Sequence, residues 1–257
     1  MTTTIGAGLN SVLIEARGPV LLVTLNRPEA RNAIDGALAH GLAVAVAQLD
    51  DDPELAVGVL TGAGRGFCAG MDLKAFRRRE DISPLVAYLR NGSRKPMIAA
   101  VEGFALAGGL ELALACDLVV AAEGARFGIP EVTVGLFAAG GGLLRLPGRV
   151  GYGTAMEMAI TGDPITAERA HAAGLVARVT EPGGAVAEAL RLAEQVARNA
   201  PLAVATSKGL LRTAQSTSEV DFWTRQRSLE TAVFTSDDAK EGARAFAEKR
   251  PPRWTGT

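Results

Sequence analysis

Two cysteines and two histidines are all that 257 residues offer to a soft metal or a redox pair. Cys68 and Cys116 cannot assemble a thiolate cage, and His40 and His171 fall in helical patterns with no ligand at metal spacing, so no metal is expected. So little cysteine fits a reducing compartment. Met1 to Asn10 is polar and Gly-rich rather than basic then apolar, which is not a secretory leader, and a cytoplasmic protein is expected. Every long apolar run is broken by Gly, Glu or Asp well short of the ~20 residues that span a bilayer, so no membrane segment is expected. Charge of one sign is also missing. The net charge is −1 and no basic run exceeds Arg77-Arg78-Arg79, so no nucleic-acid partner is expected.

What remains is an apolar chain, 48% hydrophobic against 21% charged, long enough for one large core and an appendage. Its organising stretch runs from Met97 to Asp117. Met97 to Val101 reads as a buried strand, Gly103 as a turn, and Gly108-Gly109 as the opening of a helix whose first N–H groups lack backbone partners. Such N–H groups attract developing negative charge. Glu111, set among Leu and Ala, is costly to bury, so it is either paired or shifted in pKa for acid–base work. The plainer alternative is a solvated first-turn acid beside glycines that permit close packing. An upstream echo favours acid–base work: Val57 to Gly62 leads through a glycine loop into Phe67-Cys68-Ala69-Gly70-Met71-Asp72-Leu73. Strand, glycine turn, Phe, Ala-Gly and helix start occur twice. Two such turns side by side can aim two backbone N–H groups at one oxygen.

Two better-known glycine patterns fail. Gly62-Ala63-Gly64-Arg65-Gly66 opens no helix on the schedule of a dinucleotide fold, and Gly109-Leu110 stands where a P-loop needs Lys and Ser/Thr. Elsewhere, Val12 to Glu15 and Val20 to Leu25 read as a hairpin, Asp35 as the cap of a helix to about Leu49, and Ser83 to Asn91 as a short helix. Asp117 to Ala122 and Leu175 to Val179 read as strands, and Tyr152 to Ile160 and Thr166 to Ala173 as helices. From Gly184 the pattern is wholly helical, which divides the chain into an α/β core at 1–183 and a helical subdomain at 184–257.

Residues 66–73 and Val101 to Asp117, with Phe127-Gly128-Ile129-Pro130-Glu131-Val132 through Gly140-Gly141-Gly142, resemble the signature regions of the crotonase (enoyl-CoA hydratase/isomerase) family. The resemblance covers nearly the whole chain. It implies a spiral of ββα turns with a C-terminal helical layer that forms a homotrimer or a dimer of trimers. It implies a substrate that is an acyl-CoA thioester, with no cofactor beyond the coenzyme A it carries. The N–H groups of Met71 and Gly108 become the oxyanion hole, Glu111 the base that draws a proton from water, and Glu131 the acid that protonates carbon 2. Coenzyme A contacts fall on Arg27, Ala30, Arg31, Ala69, Asp72, Leu73 and Lys74, with Phe246 and Lys249 reaching it from a neighbouring subunit. Arg27 and Arg31 suit phosphates but also read as ordinary surface arginines. Both acids of the hydratases are present, so hydration of a 2-trans-enoyl-CoA is expected. Leu136 to Pro147 departs from the family's commoner Pro-Gly-Ala-Gly-Gly-Thr-Gln-Arg-Leu, and its Leu143-Leu144 resembles carnitinyl-CoA dehydratases. A dehydratase or isomerase on another acyl-CoA is therefore the alternative, and a non-catalytic acyl-CoA-binding module a more distant one.

Overall fold

The computed structural model describes residues 11–214 and 216–257; Met1 to Asn10, read above for a leader, lies outside the described residues. β1 (Val12–Arg17) and β2 (Val20–Leu25) pair antiparallel as the expected hairpin. Asp35 accepts a hydrogen bond from the Leu38 N–H at 2.9 Å and caps α1 (Gly36–Asp51). Then follow β3 (Val57–Gly62), α2 (Leu73–Arg77), α3 (Ser83–Asn91), β4 (Met97–Val101), β5 (Phe104–Leu106), α4 (Gly108–Ala115), β6 (Leu118–Ala122) and β7 (Arg126–Gly128).

The chain climbs a two-walled spiral. The first wall is a six-stranded sheet of order β1-β2-β3-β4-β6-β9 whose pairs beyond the hairpin are all parallel. After β3, β4 and β6 in turn, the chain crosses to the second wall, where Cys68 bridges Ala105 and β5 pairs in parallel with β7. Cys68, Ala105 and Phe127 therefore stand side by side, one from each turn. The echo in the sequence is this structural repeat.

α5 (Gly142–Val150), α6 (Tyr152–Thr161), β8 (Ile165–Thr166), α7 (Ala167–Ala172) and β9 (Arg178–Thr180) complete the mixed region. A glycine triplet and Pro147 carry no helical signal, yet α5 is a helix because Leu146 and Val150 bury one of its sides.

The large sheet is covered on both faces, which is why its strands read as continuous apolar runs rather than alternating ones. Met97, Ala99 and Val101 face the main core, while Ile98 and Ala100 face a second cluster with Val57, Val59 and Val120. That second face is closed by α8 (Ala185–Ala197), whose Ala189 and Ala193 are fully buried. The pattern changes at residue 184, but the packing does not: α8 belongs with the sheet. Among the described residues, α9 (Pro201–Ala214) and α10 (Glu219–Phe234) bury none completely, and α11 (Asp237–Glu248) buries only Asp238 and Ala245. No helix among the described residues is long and apolar enough to cross a membrane.

Candidate active site

The two walls converge where the second wall turns into helices. Ile34 pairs in parallel with Met71: the Ile34 N–H donates to the Gly70 carbonyl at 2.7 Å, and the Asp72 N–H to the Ile34 carbonyl at 2.9 Å. In that pattern the N–H of Met71 points away from Ile34. One turn along, the Ala107 N–H donates to the Gly128 carbonyl at 2.8 Å and Gly108 opens α4 as its first residue, so its N–H has no intrahelical partner. Each of these peptides follows a residue turned to positive φ, Gly70 at +101° and Ala107 at +50°. At Ala107 that conformation carries strain, the kind that collects at functional sites. The turns touch: a methyl on Gly108 would lie 3.7 Å from the Met71 nitrogen, and one on Gly70 3.2 Å from the Gly108 nitrogen. The two backbone nitrogens thus lie close together at the meeting of the turns.

Glu111 lies three residues after Gly108, on the same side of α4. It is 5% exposed, and its Oε1 accepts a hydrogen bond from the Gly142 N–H at 2.9 Å. Burial pushes its carboxyl above the usual range, against the N–H groups of Gly142 and Gly140 and the positive charge of Arg145. Glu131 sits in a short 3-10 turn, Pro130–Val134. Burial pushes it up as well, its own backbone N–H opposes this, and the charge of Glu111 pushes it further up. Its Oε2 is buried without a hydrogen-bond partner among the described residues. The two carboxylates lie within reach of each other's charge, and the charge of Glu111 adds to the upward push that burial gives Glu131.

The glycine triplet was legible as a departure from a pattern, not as a seat. A methyl on Gly140 would lie 2.5 Å from Glu111 Oε2 and 2.9 Å from Leu89 Cδ1. Arg145 holds the seat: its guanidinium donates to the Leu89 carbonyl and to the Gly140 carbonyl. Nothing in the residue pattern marked Arg145 for this.

The residues expected at coenzyme A divide into two groups. The Ala69 N–H donates to the Arg31 carbonyl at 3.1 Å, which joins the loop holding half-buried Ala30 to the turn of Met71. Arg31, Leu73 and Lys74 are exposed at that edge. Arg31 lines a cavity of about 420 Å³ with Pro28, Ala63, Arg65, Gly66 and Phe104, and so adds Arg65 as a second cation. Arg27 differs from the expectation: its guanidinium is spent on Asp35 and Asp72, each at 3.1 Å, and on the Ala33 carbonyl, instead of facing outward to a phosphate. Asp72 is equally occupied, accepting from the N–H groups of Lys74 at 2.9 Å and Ala75 at 3.3 Å to cap α2. Phe246 is 89% exposed in the last turn of α11, and Lys249 follows just beyond the helix.

Comparison with known proteins bears on this geometry. The family model described as Enoyl-CoA hydratase/isomerase matches residues 15–257. The chain belongs to that family. It is 41% identical over 253 residues to enoyl-CoA hydratase EchA19 of Mycobacterium tuberculosis, an alignment covering 94% of this chain and 95% of the relative. It is also 41% identical over 260 residues to carnitinyl-CoA dehydratase of Salmonella arizonae, covering 96% and 98%. The crystal structure of enoyl-CoA hydratase EchA1 from Mycobacterium marinum superposes with a TM-score of 0.94 at 54% identity, covering 96% of this chain and all of that one. The spiral and its C-terminal helices are therefore the crotonase fold of the family.

Proposed function

We propose that this crotonase-family chain is an enoyl-CoA hydratase that adds water reversibly and syn across the 2,3 double bond of a 2-trans-enoyl-CoA. The observation that carries the proposal is the pair Glu111 and Glu131: Glu111 is buried on the Gly142 N–H, Glu131 holds a buried Oε2 with no hydrogen-bond partner among the described residues, and burial raises both carboxyls, as acid–base work near neutrality requires. The Glu111 carboxylate takes a proton from water, whose oxygen bonds to carbon 3. The π electrons move onto the thioester oxygen, where the N–H groups of Met71 and Gly108 hold the enolate. Glu131 then protonates carbon 2. Charge begins and ends on the protein, and no step needs a cofactor. The relatives named as hydratase and as dehydratase stand at equal identity, and the two reactions are one equilibrium, so the proposal commits to water chemistry rather than to one acyl group.

The nucleotide of coenzyme A is assigned to the edge of Arg31, Arg65 and Lys74, where exposed cations suit phosphates. A homotrimer, single or stacked in pairs, is proposed from the C-terminal layer, where Leu211, Val220 and Phe234 are each about three-quarters exposed.

The test follows loss of the conjugated enoyl-thioester absorbance. Glu111→Gln and Glu131→Gln are each expected to lower kcat by ~10² or more with KM little changed. The double variant is expected to fall far short of the product of the two losses. Near-normal hydration in both single variants would end the assignment.

A further inference from the structure

Arg27 lies between the caps of two helices. Asp35 caps α1, Asp72 caps α2, and the two carboxylates meet on one guanidinium. All three side chains are between 16% and 18% exposed, so the ion pairs are shielded from most of the water that weakens surface pairs. One guanidinium facing two carboxylates leaves a negative excess, and the positive ends of the two helices offset it. The third donor of Arg27 goes to the Ala33 carbonyl, so the side chain is committed in three directions.

Its surroundings are equally fixed. The Arg27 N–H donates to Asn32 Oδ1 at 2.9 Å, and Asn32, fully buried, donates from Nδ2 to the Ala63 carbonyl at 2.8 Å and the Gly66 carbonyl at 2.9 Å. The strap of residues 27–35 is thus tied at one end to the loop that leads into Phe67. At the other end it is tied to Asp72, the residue directly after Met71.

We propose that Arg27 is a positioning residue for the reaction: by locking the 33–35 strap against Asp72 it fixes the Ile34 contact to the Gly70 carbonyl and with it the direction of the Met71 N–H, and it does not bind the substrate's phosphates. The proposal rests on Met71 as an oxyanion donor, and it extends that reading to the side chains that aim the donor. The Met71 N–H belongs to the 70–71 peptide, whose Gly70 carbonyl accepts from the Ile34 N–H at 2.7 Å, and Ile34 lies between Ala33 and Asp35, the two strap residues that Arg27 grips while it holds Asp72, so this peptide plane has little freedom.

The experiment pairs two variants with two substrates. Arg27→Met removes the guanidinium and keeps the apolar stem. Asp72→Asn keeps the capping oxygen and removes only the charge that Arg27 grips. Each is assayed with a full enoyl-CoA and with the corresponding enoyl-pantetheine thioester, which carries no nucleotide. Both variants are expected to lose about tenfold or more in kcat, part of the ~10²–10³ that deleting an oxyanion donor costs. The loss is expected by the same factor on both substrates, with KM for the CoA ester moved less than about threefold.

A bound enoyl thioester also reports the hole directly, because hydrogen bonds to its carbonyl draw charge along the conjugated system and move its absorbance to longer wavelength. That shift is expected to shrink in both variants, which general loosening of the fold far from the hole would not cause. A rise in KM confined to the CoA ester, with kcat and the spectral shift intact, would overturn the proposal and return Arg27 to phosphate binding. Unchanged kcat and spectrum in Asp72→Asn would overturn it too, even if Arg27→Met fails to fold. A wild-type protein that hydrates neither thioester would instead overturn the hydratase reading, and the two failures are thereby distinct.

Discussion

Glu111 and Glu131 are held where water is scarce, and the burial that makes them expensive is what tunes them. With Glu111 needed ionised and Glu131 protonated, kcat/KM rises as Glu111 loses its proton and falls as Glu131 loses its own. Both carboxyls are pushed up, so the bell in a pH–rate profile is expected wholly above the ordinary carboxylate range, its two apparent pKa values belonging to the pair. Gly142 is the first residue of α5, where proline is tolerated by the helix but lacks the N–H that Glu111 Oε1 accepts. Gly142→Pro is therefore expected to move the ascending limb to higher pH and lower kcat near neutrality several-fold. Gly142→Ala controls for bulk, since a methyl there lies 3.2 Å from Glu111 Oε1. Stability runs the opposite way to activity. The folded state holds the Glu131 proton more tightly than the unfolded chain does, so stability falls as pH rises from the ordinary carboxylate value through the raised one. Glu131→Gln removes that loss: scanning calorimetry is expected to show a higher Tm than wild type at pH 7, with the gain vanishing below the usual carboxylate range.

A buried cation on α9 fastens that helix to the spiral. Lys208, 9% exposed at its side chain, donates from Nζ to Asp117 Oδ2 at 2.7 Å, to the Lys95 carbonyl at 2.7 Å and to Ser93 Oγ at 3.1 Å. Asp117 Oδ2 also accepts from the Met97 N–H at 2.8 Å, so this one carboxylate ties the first residue of β4 to α9. Lys208→Met keeps the apolar stem and strands the carboxylate; the expected cost is about 3 kcal/mol by denaturant unfolding, in the range for removing one partner of a buried pair. At this scale the sequence was legible wherever local chemistry and packing agree. Asp35 before an apolar-periodic stretch is a helix start, and Val57 to Gly62 has nowhere to go but a buried strand. The signature turns were legible because glycine and Glu mark them. α5 was not, because its propensity is poor and only the burial of Leu146 and Val150 makes it a helix. The place of α8 was not, because an alanine stripe reads the same whether a sheet or a neighbouring helix covers it. Arg27 was half legible: its charge is plain in the sequence, but Asp35 and Asp72 lie eight and forty-five positions away, and only the spiral brings the latter to it.

At the scale of the whole molecule, α11 carries Phe246 in its last turn, and Lys249 stands just beyond its end. Its exposure is not that of a frayed end. Asp238, 2% exposed, accepts from the N–H groups of Thr255 and Gly256, and Arg250 pairs with Glu241 at 2.6 Å, so the last eight residues buttress the helix from behind. Phe246 is 89% exposed and Lys249 lies three residues further on, so an aromatic face and a cation are open together at the end of α11. If Phe246 and Lys249 serve a neighbour's coenzyme A, light scattering at micromolar concentration is expected to give the mass of a trimer or hexamer. Lys249→Ala is then expected to raise KM for an enoyl-CoA about tenfold, the weight of one charge-assisted contact, with kcat unchanged and the enoyl-pantetheine ester unaffected. The deciding measurement mixes subunits. Glu111→Gln chains are expected to turn over at least ~10²-fold more slowly but carry an intact Lys249, and Lys249→Ala chains are expected to be competent but to bind weakly. Refolded together, they can place an intact Lys249 against an intact Glu111 only across a subunit boundary, so a low-KM population of sites is expected to emerge on mixing. Were Lys249 to act within its own chain, no proportion of the two variants would produce one.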